Sequence, residues 1–110
     1  MTQWHDVAAA EAVTDDTVLA VNIGASRLAL FRIGDEVFAL ADMCSHGQAR
    51  LSDGYVEDGC VECPLHQGLI DIRTGAPRKQ PITEAVQTYP ARVREGRIEI
   101  EIQVLPTRGV

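Results

Sequence analysis

Two short segments, Cys44-Ser45-His46 and Cys63-Pro64-Leu65-His66, constrain this chain more than any other feature. Each offers one thiolate and one imidazole, and each is followed by a glycine, Gly47 or Gly68. Two Cys with two His in a short chain is a metal-ligand count, so the fold must bring two separate loops to one centre. The order Cys, His, Cys, His then selects among centres. If each loop lends one sulfur and one nitrogen, the loops straddle something with a sulfur-ligated side and a nitrogen-ligated side. A mononuclear ion has no such sides, whereas a 2Fe–2S cluster with Cys₂ on one iron and His₂ on the other does. Structural zinc takes the same ligand types, but its common spacing pairs C-x₂₋₄-C with H-x₃₋₅-H, and it stands as the competing reading.

Local geometry supports pairing within each loop. Residues two apart in extended backbone point to one side, so Cys44 and His46 can face the same centre. Cys63 and His66 are separated by Pro64, which favours the second position of a type I turn and brings the turn's ends within about 7 Å. Cys60 is left over. With Cys63 it spells C-x-x-C, a redox dithiol pattern. The segment around Val61 reads as a strand, however, where residues three apart lie about 10 Å from each other. A disulfide needs Cα atoms within about 7 Å, so Cys60 is expected to be a buried or half-buried strand thiol. His5, beside Trp4 and far from both loops, is expected to be a surface or packing residue.

The rest of the chain reads as short strands separated by turn residues, with no sustained helical period. Residues 18–23 and 27–33 flank Gly24-Ala25-Ser26, and the second run turns through Gly34-Asp35 into residues 36–40. Both junctions predict hairpins. Residues 90–94 turn at Glu95-Gly96 into Arg97-Ile-Glu-Ile-Glu-Ile102, an alternation expected of a strand with one packed and one wet face. The Ala-rich stretch 7–13 predicts at most a helical turn. The fold class is therefore all-β.

At 110 residues the chain is expected to be one domain spanning 1–110, with little room for a substrate cavity. No apolar run approaches the ~18–20 residues of a membrane span and no leader is evident, so no membrane association is expected. Three cysteines, two committed to metal, leave no disulfide framework, which suits a reducing cytoplasm. A net charge of −6 argues against nucleic acid, whose binding rests on cationic neutralisation of phosphate. Between Asp42 and Asp71 six carboxylates (Asp42, Asp53, Glu57, Asp58, Glu62, Asp71) face the single base Arg50, which predicts an acidic cluster end that steers toward basic partners.

The pattern C-x-H-x₁₆-C-x₂-H, written here as CSHG…CPLHQG, resembles the Rieske iron–sulfur signature. Over residues 4–102, and through Ala49-Arg50-Leu51-Ser52-Asp53-Gly54, Glu62 to Gly68, and Thr74-Gly75, the chain looks most like the small soluble ferredoxins of bacterial aromatic-ring-hydroxylating dioxygenases of the naphthalene and biphenyl type. The resemblance implies a base of antiparallel sheets with an inserted cluster-binding subdomain at about 42–83, closed by a proline-bearing third loop for which Pro81 is the candidate ahead of Pro77. It implies that Cys44 and Cys63 bind one iron and His46 and His66 the other.

Respiratory Rieske proteins carry two further loop cysteines and Ser and Tyr hydroxyls beside the cluster. Here Gly47-Gln48-Ala49, Leu65, Gly68 and Ile70 stand at those places, which implies a potential near the low end of the range, about −150 mV. The implied role is a monomeric one-electron carrier without a catalytic site. It would take electrons from a flavin-dependent, NAD(P)H-oxidising ferredoxin reductase and pass them to a terminal oxygenase. The alternatives are a small Rieske subunit of another oxidoreductase, such as nitrite reductase, and a zinc-stabilised module.

Overall fold

The computed structural model describes residues 2–44, 49–65 and 67–103. It contains strands β1 (Thr2–Ala9), β2 (Leu19–Ile23), β3 (Ser26–Ile33), β4 (Glu36–Ala41), β5 (Tyr55–Glu57), β6 (Cys60–Glu62), β7 (Leu69–Asp71), β8 (Pro77–Lys79), β9 (Thr88–Tyr89), β10 (Ala91–Arg94) and β11 (Arg97–Gln103). Every pairing is antiparallel, in three sheets of order β1-β11-β10, β2-β3-β4-β9 and β5-β6-β7-β8.

The apolar run Leu28-Ala29-Leu30-Phe31 places β3 at the centre, because all four residues are buried. Side chains of a strand alternate between faces. Leu28 and Leu30 accordingly join one core cluster, with Val37, Ala39 and the alternating Ile98, Ile100 and Ile102 of β11. Ala29 and Phe31 join a second cluster, with Leu40, Leu51, Val61, Ile70, Ile72 and Ile82. The middle sheet is thus packed on both faces, by the β1-β11-β10 sheet on one side and by the small sheet on the other. Burial of each Leu, Ile or Phe is worth about 1.5–3 kcal/mol.

The expected hairpins at Gly24, Gly34 and Gly96 all form. Two differences from the sequence reading matter. The N-terminal segment is a strand through Ala9 paired along β11, and only Ala10–Ala12 make a 3₁₀ turn. The free edge of β11 supplies a ladder that overrides the helical preference of the alanines, because intrinsic propensity yields to tertiary pairing. A further hairpin joins β5 to β6 through Asp58-Gly59, both at positive φ (51° and 77°), as in a type I′ turn. Near Pro90 the chain leaves the middle sheet as β9 and enters the outer one as β10, which links the two layers.

Candidate metal centre

Both Cys-bearing loops are hairpin tips with the same closure. After β4 the chain bridges Met43 to Arg50, Leu51 N–H donates to Asp42 O (2.6 Å), and Cys44 N–H donates to Ala49 O (2.8 Å). After β6, Cys63 N–H donates to Gly68 O (2.9 Å), immediately beyond the paired residues Glu62 and Leu69. Each loop is therefore six residues long, with the cysteine N–H bonded to the carbonyl five residues on. In the second loop, Gln67 N–H also donates to Cys63 O (2.9 Å) and Gln67 takes positive φ (61°), so the chain closes as a five-residue α-turn, one residue wider than the β-turn expected at Pro64.

Cys44 and Cys63 are 2% and 1% exposed and lie in one core cluster with Leu51, Val61, Ile70 and Ile82. The loops also border one groove of about 370 Å³, lined by Ala49, Arg50 and Asp53 from one side and by Pro64 and Leu65 from the other. Met43 and Leu65, each beside a cysteine-bearing turn, are both 56% exposed. Apolar surface is therefore exposed beside each of the two expected sulfur donors. His46 and His66 lie outside the described residues, as does Gly47. Among the described residues no three ligand-type side chains gather, since half of the expected donor set falls outside them.

Cys60 is a half-buried thiol in β6 without a disulfide to Cys63, as the strand geometry requires. His5 sits in β1 opposite Ile100, half-buried, with Nε2 enclosed and lacking a hydrogen-bond partner. It belongs to the outer sheet and takes no part in the loops. On that sheet Asp6 also accepts hydrogen bonds from Arg97 and raises its pKa.

Two features of the site escaped the sequence reading. The first is the role of Gly68. A Cβ there would meet Ile82 Cγ1 at 2.7 Å and Cδ1 at 2.8 Å, and Lys79 O at 3.0 Å. The loop after β8, with its cis Gln80–Pro81 bond, thus rests directly on the second Cys loop. Pro77, by contrast, is a strand residue paired with Ile70. The second is Asp42. Its carboxylate is buried and accepts from Arg27 Nε (2.7 Å), Ser52 N–H (2.7 Å) and Ser52 Oγ–H (2.9 Å). Asp42 therefore does not belong to the acidic face inferred from sequence. Asp71 also binds the turn N–H groups of Arg73 and Thr74, with Arg78 3.6 Å away. The exposed acids of this region reduce to Asp53, Glu57 and Asp58, with Arg73, Arg78 and Lys79 nearby in the same sheet region.

Comparison with known proteins bears on what such a pair of loops holds. Residues 3–90 match the Rieske [2Fe-2S] domain model. The chain belongs to the Rieske [2Fe-2S] domain family. It is 58% identical to the anthranilate 1,2-dioxygenase ferredoxin subunit of Burkholderia cepacia over 93% of this chain and 94% of that one. It is 37% identical to the ferredoxin component of the naphthalene 1,2-dioxygenase system of Pseudomonas putida, over 91% of this chain and 96% of that one. The ferredoxin solved in complex with the oxygenase of carbazole 1,9a-dioxygenase superposes with a TM-score of 0.83 at 37% identity, covering 88% of this chain and 91% of that one. Within the family the chain stands with the small ferredoxin components, electron carriers of aromatic dioxygenase systems. A zinc-stabilised module is not what these relatives support.

Proposed function

We propose that this chain carries single electrons through a Rieske-type 2Fe–2S cluster held by Cys44 and Cys63 at one iron and by His46 and His66 at the other. The observation that carries the ligand reading is the matched pair of six-residue loops, whose cysteines are buried in one core cluster across a shared groove. Two thiols enclosed by aliphatic side chains, at the bases of adjoining loops, suit the sulfur-ligated end of such a cluster. Bound there, the cluster supplies reversible one-electron exchange.

The chain's own residues do the rest. The Cys N–H bonds to Ala49 and Gly68 hold each loop closed. Ile82 and Leu51 exclude water from the thiolate side. Met43, Pro64 and Leu65 put an exposed apolar surface beside the two cysteines for brief docking. No catalytic site of its own is assigned. The chain acts as a single domain, residues 1–110, with 42–83 as its cluster-binding part, which encloses the whole β5–β8 sheet. The electron donor is a flavin-dependent, NAD(P)H-oxidising reductase, and the acceptor is the terminal oxygenase of a ring-hydroxylating dioxygenase. The solved oxygenase–ferredoxin complex of the carbazole system supports the acceptor. Among the described residues no helix is long and apolar enough to cross a membrane, and the working form is taken as a cytoplasmic monomer.

The test is reconstitution. Anaerobically purified protein should contain two irons and two sulfides per chain, as a 2Fe–2S cluster requires. With NAD(P)H and the reductase it should sustain product formation by the oxygenase. Protein lacking inorganic sulfide, or an oxygenase that turns over equally well without it, would refute the reading.

A further inference from the structure

Asp42 is the one buried polar or charged residue found among the described residues, and it sits two positions before Cys44. Its backbone joins three segments: its N–H donates to Arg27 O (3.0 Å) at the start of β3, and its carbonyl accepts from Leu51 N–H. Its carboxylate adds the bonds from Arg27 and from both donors of Ser52. The base of the first Cys loop is therefore clamped on both sides through one residue. The pair is also asymmetric in solvent. The Asp42 side chain is 1% exposed and that of Arg27 is 38% exposed. Water screens the outer charge far more than the inner one, so the field the pair leaves inside the protein is negative. Along extended backbone Asp42 and Cys44 are about 7 Å apart at Cα.

We propose that Asp42 is a positioning residue of the cluster site: its clamped carboxylate fixes the frame from which Cys44 hangs, and stands as a buried negative charge that disfavours the reduced cluster. This rests on Cys44 being a ligand. Reduction adds one electron, so a neighbouring fixed anion lowers the midpoint potential and its counterion raises it. The two members of the pair then act with opposite sign, which a purely structural role does not produce.

The experiment measures iron content and midpoint potential of holoprotein for the parent, Asp42→Asn, Arg27→Gln and Arg27→Lys. Asp42→Asn should shift the potential upward, Arg27→Gln downward, and Arg27→Lys should stay near the parent. Shifts in the same direction for Asp42→Asn and Arg27→Gln, or none in either with the cluster retained, overturn the proposal. If Asp42→Asn fails to hold iron, the Arg27 pair decides: a downward shift in Gln with Lys near the parent supports the proposal, and any other result overturns it. A parent chain that binds no cluster would remove the ligand reading and this proposal with it.

Discussion

Replacing Gly68 with alanine inserts a single methyl group at a close contact between two loops. The added Cβ would lie 2.7 Å and 2.8 Å from two carbons of Ile82 and 3.0 Å from Lys79 O. Carbon–carbon contacts are favourable near 3.5–4.0 Å, so something must retreat by about an ångström. Ile82 cannot swing into solvent, since it is 2% exposed, and Lys79 O is backbone. Overpacking of this kind costs about 1–3 kcal/mol. Applied to a domain of this size, that lowers the melting temperature by roughly 5–15 °C. Ile82→Ala alone opens a cavity and costs about 2–5 kcal/mol. The double variant should cost less than the two singles added, by about 1 kcal/mol or more, because the added methyl then occupies vacated space. The assay is urea or thermal unfolding of holoprotein followed by far-ultraviolet circular dichroism alongside cluster absorbance. Strict additivity, or a neutral Gly68→Ala, would refute the claim that the loop after β8 seats on the second Cys loop.

Other expectations concern the ligands, the potential and the core. Cys60→Ser should keep its full iron content, whereas Cys44→Ala and His66→Ala should lose it and loosen residues 42–83, since metal binding and folding are coupled. Iron retained in either of the latter, or lost in the first, would show the ligands to be misassigned. Protein-film voltammetry should place the midpoint near −150 mV, at the low end for these centres; a clearly positive value would contradict the missing hydroxyl donors. Leu30→Ala, which removes a fully buried side chain from the central strand, should cost about 2–5 kcal/mol in urea titration while leaving the cluster spectrum of the folded protein unchanged.

The candidate ligands could be named from sequence because their chemistry is local. Cysteine and histidine at fixed short offsets, with proline and glycine beside them, state a ligand count and a turn within a few residues. The hairpins at Gly24, Gly34 and Gly96 were legible for the same reason, and Asp58-Gly59 is an equally strong turn signal, joining β5 to β6. The N-terminal strand was not legible. Residues 2–9 show no clean alternation, and they become a strand only because β11, some ninety positions later, offers them an edge.

What the sequence determined by itself is therefore the all-β class, the family, and the candidate ligands, each read from short local patterns repeated along the chain. Tertiary structure alone decided that Leu28–Phe31 face two cores at once, that Gly68 exists to admit Ile82, and that Asp42 is an internal clamp and not a surface acid. Those three facts join residues 10 to 70 positions apart, as with Arg27 to Asp42 and Leu28 to Ile98. A carboxylate looks the same in sequence whether water or a guanidinium and a serine satisfy it. Only packing, which removes the water, determines which of these it is.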